Sequence, residues 1–231
     1  MNRPSFALIC SCIAIISLGA GCAKNAPTRQ NGSNPNGSSV TAGSDVARPL
    51  TPEDIRTELL GVVNRFKNTK SFRSKITISG PEKNINAILE FSKPDRFHGT
   101  VQTIGSTTTA EIISVGTNFY MRISDQPWMN LTKTVNAKTI GTTLNNTLNG
   151  NANVDMLGKD VTIPVTKSYD GLQGCDVYKT QIKTPEGKAN DISVCVVNGL
   201  PKTVDLTTTE GPVHIEYYDV NGVFLIEKPV Q

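Results

Sequence analysis

Between Thr51 and Asn68 the apolar residues Ile55, Leu59, Val62, Val63 and Phe66 recur at the three- and four-residue spacing that gathers side chains into one stripe of a helix. Thr51 supplies an N-cap, Pro52 suits the first helical position, and Glu53 and Asp54 sit where the helix dipole favours negative charge. The spacing therefore predicts an amphipathic helix ending near Lys67. Beyond it the period falls to two. In "SFRSKITISG" Phe72, Ile76 and Ile78 share one face while Arg73, Lys75 and Thr77 share the other. In "NINAILEF" the apolar face carries Ile85, Ala87, Leu89 and Phe91. The segments "RFHGTV", "TTAEIISV", "NFYMRI", "VTIPVTKSY", "CDVYKTQI", "DISVCVV", "KTVDLTTT", "PVHIEYYD" and "VFLIEK" also read as strands, with Gly, Pro, Asn or Asp in most of the gaps.

The fold class that follows is α+β, mostly β: a large curved antiparallel sheet, a half-barrel of about eleven strands, preceded by one helix. One stretch breaks the alternation. In "TKTVNAKTIGTTLNNTLNGNANVDMLG", Ile140, Leu144 and Leu148 fall at i, i+4 and i+8, which predicts a short helical insertion covering the concave side. A single N-terminal helix cannot bury the whole apolar face of so broad a sheet. The excess must meet the insertion, a partner or an apolar ligand. On alternation alone, the candidates for lining such a site are Phe91, Phe97, Ile112, Phe119, Ile140, Leu144 and Leu148. Trp128 and Tyr178 also lie on or beside strands, and core packing is the simpler role for any one of these aromatics.

The N-terminus adds an address. "MNRPS" carries one positive charge, and the apolar run from Phe6 to Ala20 has the length of a secretory signal, short of the roughly 20 residues that span a bilayer. The run ends in "LGAGC", which resembles a bacterial lipobox, although Gly19 holds the place three residues before Cys22 where leucine is usual. The resemblance implies a signal peptide over residues 1–21 and acylation of Cys22; a plain secreted chain cut near Ala20, or an uncleaved anchor, are the alternatives. Two or three acyl chains give stable anchoring. Ala23, not Asp, follows the cysteine, which points to the outer membrane of a two-membrane cell or the outer leaflet of a single-membrane one. Residues 22–49, rich in Asn, Gly, Ser and Pro, read as a flexible tether on the order of 30 Å long, leaving 50–231 as one domain.

Little in the composition suggests chemistry. Formal net charge is +3 with no basic cluster among aromatics, so nucleic acid is not an expected partner. The two histidines, His98 and His214, fall on polar strand faces, and no catalytic triad, phosphate loop or metal-ligand spacing can be assembled. Asp170, Asp176, Asp191 and Asp219 lie near strand ends, where aspartate commonly accepts from backbone amides. Neither a cofactor nor an enzymatic activity is expected. Cys175 and Cys195 occupy two strands joined by "KTPEGKAN" in an exported chain, so a cross-strand disulfide is the leading expectation. Two buried thiols or a redox pair are the alternatives, and C-x-x-C spacing for the latter is absent.

The order of elements resembles a known family. The phrases "FSKPDRF" (Phe91 to Phe97) and "SVGTNFYMR" (Ser114 to Arg122), and the ending "GLPKTVDL…VHIEYYDVNGVFLIEKP", are similar to segments of the LolA/LolB-like superfamily of lipoprotein-sorting and mycobacterial-type lipid-binding lipoproteins. The resemblance covers roughly Thr51 to Pro229. It implies a half-barrel closed by helices around acyl chains, and hence a membrane-anchored envelope lipoprotein that binds a lipid, or the acyl chains of lipoproteins, for transport or sorting. An envelope sensor or structural lipoprotein touching a protein partner through the same scaffold is the alternative.

Overall fold

The computed structural model describes residues 49–80, 84–133, 164–183, 189–208 and 211–230. Helix α1 spans Pro52–Lys67, within a residue of the expected end. Thr51 and Asp54 cap it reciprocally: the Asp54 amide donates to the Thr51 hydroxyl at 3.2 Å, and the Thr51 amide donates to the Asp54 carboxylate at 2.8 Å. Eleven strands follow: β1 Ser71–Ser79, β2 Asn84–Ser92, β3 Arg96–Thr103, β4 Thr109–Val115, β5 Asn118–Ile123, β6 Met129–Asn130, β7 Thr166–Asp170, β8 Cys175–Lys183, β9 Ala189–Val197, β10 Leu200–Thr208 and β11 Gly211–Tyr218.

All eleven belong to one open antiparallel sheet in the order β6-β5-β4-β3-β2-β1-β11-β10-β9-β8-β7. The chain meanders from β1 out to one edge at β6, resumes at the opposite edge with β7, and meanders back until β11 pairs with β1. The expected insertion around Ile140, Leu144 and Leu148 falls between these two edge strands, outside the described residues.

The expected strand "VFLIEK" is corrected: residues 222–230 form no strand and join no ladder. Both sides of β11 are already occupied, by β1 and β10, so a strand following it by a short turn has no free neighbour. The alternation serves another purpose. The chain after β11 is tied back when the Asn221 amide donates to the Ser71 carbonyl at 2.8 Å and Arg96 Nη1 donates to the Ile226 carbonyl at 2.7 Å. Ile226 is buried, whereas Val223 and Leu225 are exposed. The short β6, beside Trp128, takes the place of that strand in the count.

Helix α1 packs chiefly against β7 and β10. Leu59 and Val62 meet Val165, Tyr178 and Val196 there in one apolar cluster. Polar contacts fix the docking: Glu58 accepts from the Tyr178 hydroxyl at 3.0 Å and from Lys167 at 2.8 Å, and Arg65 Nε donates to the Gly199 carbonyl at 2.8 Å. Gly199 has φ +73°, and a Cβ there would stand 2.9 Å from the Arg65 guanidinium, so glycine answers both to the turn and to the close approach.

Cys175 and Cys195 are joined by a disulfide across β8 and β9, with Cα atoms 5.6 Å apart. Closing a loop of this size, a sequence separation of 20, stabilises by about 3 kcal/mol in the chain-entropy model. Reduction is accordingly expected to lower the unfolding free energy by about that amount, read from denaturant melts with and without reductant. An unchanged midpoint would show that the β8–β9 hairpin holds without the link.

Candidate functional site

Alternation gives the sheet two unlike faces. On the inner face of β1 to β5, register aligns side chains into transverse rows. The first runs Phe72, Phe91, Phe97, Ser114, Phe119. The next runs Ser74, Leu89, Gly99, Ile112, Met121, and a third runs Ile76, Ala87, Val101, Ala110, Ile123. No charged side chain stands in these rows.

The expected lining residues Phe91, Phe97, Ile112 and Phe119 are all buried in one cluster with Phe72, Leu89 and Met121. The rings form a chain of contacts, with centroids 4.7 Å apart for Phe72 and Phe91 and 5.0 Å for Phe91 and Phe97. Such aromatic pairs add roughly 0.5–1.5 kcal/mol each beyond their burial. Gly99 makes room for this: a Cβ there would come 2.6 Å from the Phe97 ring, so the ring lies across the glycine. The remaining expected lining residues, Ile140, Leu144 and Leu148, lie outside the described residues, as does Cys22.

The cluster is separate from the one beneath α1. Among the described residues, Phe66 is the helix side chain that reaches it, packing on Phe72 and Tyr217 with centroids 4.8 Å away in each case. Tyr178 belongs instead to the cluster under the helix. Trp128 sits off both clusters, 4.8 Å beneath the guanidinium of Arg122. The apolar inner face of β1–β5 thus extends past the helix, as the imbalance between sheet and helix implies.

Hydroxyls on this face include those of Ser74, Ser114 and, on β11, Tyr217. Ser74 is 2 % exposed and Ser114 7 %. None of the three makes a hydrogen bond among the described residues, and burial pushes the Tyr217 phenol up to about 12. Sequence alternation places Ser74 inward, between Phe72 and Ile76, but gives no sign that Tyr217 would stand opposite it.

The outer face is ionic. Arg73 donates to Glu90 at 2.7 Å and to Asp219 at 2.9 Å; His98 bridges Glu90 at 3.1 Å and Glu111 at 2.8 Å; Arg122 donates to Glu111 at 2.5 Å. The ladder ends in rings, with Phe224 4.5 Å from the Arg73 guanidinium and Trp128 under Arg122. His214 meets Asp205 at 2.6 Å on the same face. Both histidines are therefore engaged by carboxylates. The aspartates divide: Asp170 accepts from the Leu172 and Gln173 amides, as expected, while Asp176, Asp191 and Asp219 meet side chains of Lys167, Gln181 and Arg73.

A groove of about 580 Å³ also lies on the outer face, beside the disulfide, lined by Tyr169, Leu172, Val177, Lys179, Thr203 and Asp205. Its mixed lining and its place on the far half of the sheet set it apart from the apolar cluster. It contains none of the expected lining residues.

Comparison with known proteins follows this geometry. No family model and no curated protein matches the chain. Among solved structures, the lipoprotein LppX of Mycobacterium tuberculosis is 12 % identical with a TM-score of 0.56, over 77 % of this chain and 100 % of LppX. LprF of Mycobacterium bovis is 13 % identical with a TM-score of 0.54, over 78 % of this chain and 99 % of LprF. A LolA superfamily protein from Nitrosomonas europaea is 11 % identical over 78 % of this chain and 99 % of its own, and its TM-score of 0.38 is too low to add to the assignment. The chain has the fold of these two mycobacterial proteins.

The ladder generates a pH dependence. Burial works against the charge of Glu111, but hydrogen bonds from His98 and Arg122 outweigh it and hold the carboxyl below its ordinary value of 4.5. A lowered folded value contributes stability that is present above the unfolded value and lost as pH falls through the folded one. The Glu111→Gln variant is expected to be less stable than the parent near neutrality and to lose less stability between about pH 6 and about pH 3, as read from denaturant midpoints. Parallel curves for parent and variant would show that the ladder contributes nothing.

Proposed function

We propose that this chain is a lipid-anchored protein of a bacterial cell envelope that holds a hydrophobic ligand, a lipid or the acyl chains of a lipoprotein, against the inner face of β1–β5 for transport or sorting. The observation that carries the reading is the uncharged, aromatic-floored face that, among the described residues, α1 reaches through Phe66 alone. Acyl chains seated there gain roughly 0.8 kcal/mol per buried CH₂, with Phe91, Phe97, Ile112 and Phe119 as the described part of the lining and Ile140, Leu144 and Leu148 completing it. The fold shared with the lipoprotein LppX supports the lipid-anchored part of this reading. Acylation of Cys22 and the tether over residues 22–49 supply the anchor. The role is binding rather than catalysis, in keeping with histidines engaged by carboxylates on the outer face.

A Leu144→Lys variant tests the site. Placing a charge against buried acyl chains is strongly unfavourable, so capture of a dansylated fatty acid is expected to fall about tenfold or more with the melting temperature unchanged. Undiminished capture by the folded variant would remove Leu144 from the site. If the parent protein takes up no probe at all, the hydrophobic-ligand reading fails and the alternative, a scaffold for protein contact, replaces it.

A further inference from the structure

Ser74 and Tyr217 are direct neighbours across the pair of central strands, β1 and β11. Both stand on the inner face, where Tyr217 is wedged against Phe66 at 4.8 Å and Phe72 at 5.7 Å between ring centroids. Ser74 is nine-tenths buried and more, flanked in its row by Leu89. A buried hydroxyl left without a partner costs about 1–3 kcal/mol, and native interiors seldom retain one. Alanine and phenylalanine would fill the same space without that cost.

The described residues include no fully enclosed side-chain oxygen or nitrogen that lacks a hydrogen-bond partner. Since neither hydroxyl has a partner among the described residues, each keeps a sliver of reachable surface on the apolar face. The two residues are paired across the strands, so both hydroxyls belong to one patch of the face that something from outside the described residues can reach. Among the described residues, the cluster packed against Tyr217 is hydrocarbon and aromatic ring.

We propose that Ser74 and Tyr217 form a hydrogen-bonding site for a carbonyl oxygen on the buried part of the ligand, so that the protein selects acylated molecules over plain hydrocarbon or ether-linked chains. This rests on the hydrophobic-ligand reading and specifies its ligand class. A carbonyl oxygen has two lone pairs and takes one hydrogen from each hydroxyl, with no ionic partner needed in an uncharged surround. Two such bonds convert into a preference, whereas the apolar rows bind any chain of suitable length. The carbonyl can belong to an ester or to a free acid, and the two sources are separable.

The test measures binding of three probes of equal chain length to the full mature chain: dipalmitoyl glycerol, its diether analogue and palmitic acid. The parent is expected to bind one of the carbonyl probes roughly tenfold more tightly than the diether. Tighter binding of the diester assigns the site to esters, and tighter binding of palmitic acid assigns it to free acids. Ser74→Ala and Tyr217→Phe, which remove only the hydroxyls, are each expected to shrink that preference severalfold while diether affinity stays put and the melting temperature holds or rises. Equal affinity of the parent for all three probes, or variants that keep the full preference, would overturn the carbonyl site and leave the hydrophobic-ligand reading standing. Binding of none of the three would overturn both. A variant that fails to fold is replaced by Ser74→Gly or Tyr217→Leu, judged by the same ratio of carbonyl to ether affinity.

Discussion

One pairing makes this molecule a single sheet. β1 and β11 are separated by most of the domain in sequence, yet six consecutive residues, Arg73 to Ile78, align antiparallel with Tyr218 to Val213. Each half is a meander built from neighbouring strands. Among the described residues, only this seam pairs a strand of one half with a strand of the other, and it must form across the whole intervening chain. What depends on the seam is concrete. It brings Tyr217 beside Ser74, sets Phe66 over Phe72 and Tyr217, and fills both sides of β11. The chain beyond Tyr218 is left to lie back over Arg73 and Arg96 instead of adding a strand.

The two faces divide the work. Inward, the rows of Phe, Leu, Ile and Met are continuous over β1–β5, and α1 guards a different cluster on the other half. Outward, the same strands carry Arg73, Glu90, His98, Glu111 and Arg122 in alternating contact. Exposed ion pairs contribute little singly, and a connected series with well-aligned partners contributes more. The ladder also explains why candidate acid-base residues do not converge on the apolar side. Alternation along each strand sends every charged group of β1–β5 to the opposite surface.

Much of this was legible in residue order because burial and secondary structure share a period. Ile55, Leu59, Val62 and Phe66 mark the helix, and Phe91, Phe97, Ile112 and Phe119 were placed on one face by parity alone. The Cys175–Cys195 link followed from two adjacent strands in an exported chain. Long-range pairing was not legible. "VFLIEK" has the alternation of a strand, and its exclusion comes from topology, which no local pattern encodes. The partners of His98 were hidden for the same reason, since Glu90 and Glu111 reach it from two other strands. Ser74 could be placed inward by counting, but its significance appears only when Tyr217 stands opposite and neither hydroxyl has a partner among the described residues.

The central claim is that the inner face of β1–β5 is a ligand site rather than a core completed by the protein alone. The most direct measurement is native mass spectrometry of residues 23–231 purified from bacterial cells, followed by denaturing lipid extraction. The account predicts an acyl-containing adduct at about one per chain that is released on unfolding. A clean protein mass that stays unchanged after incubation with membrane lipids would contradict it.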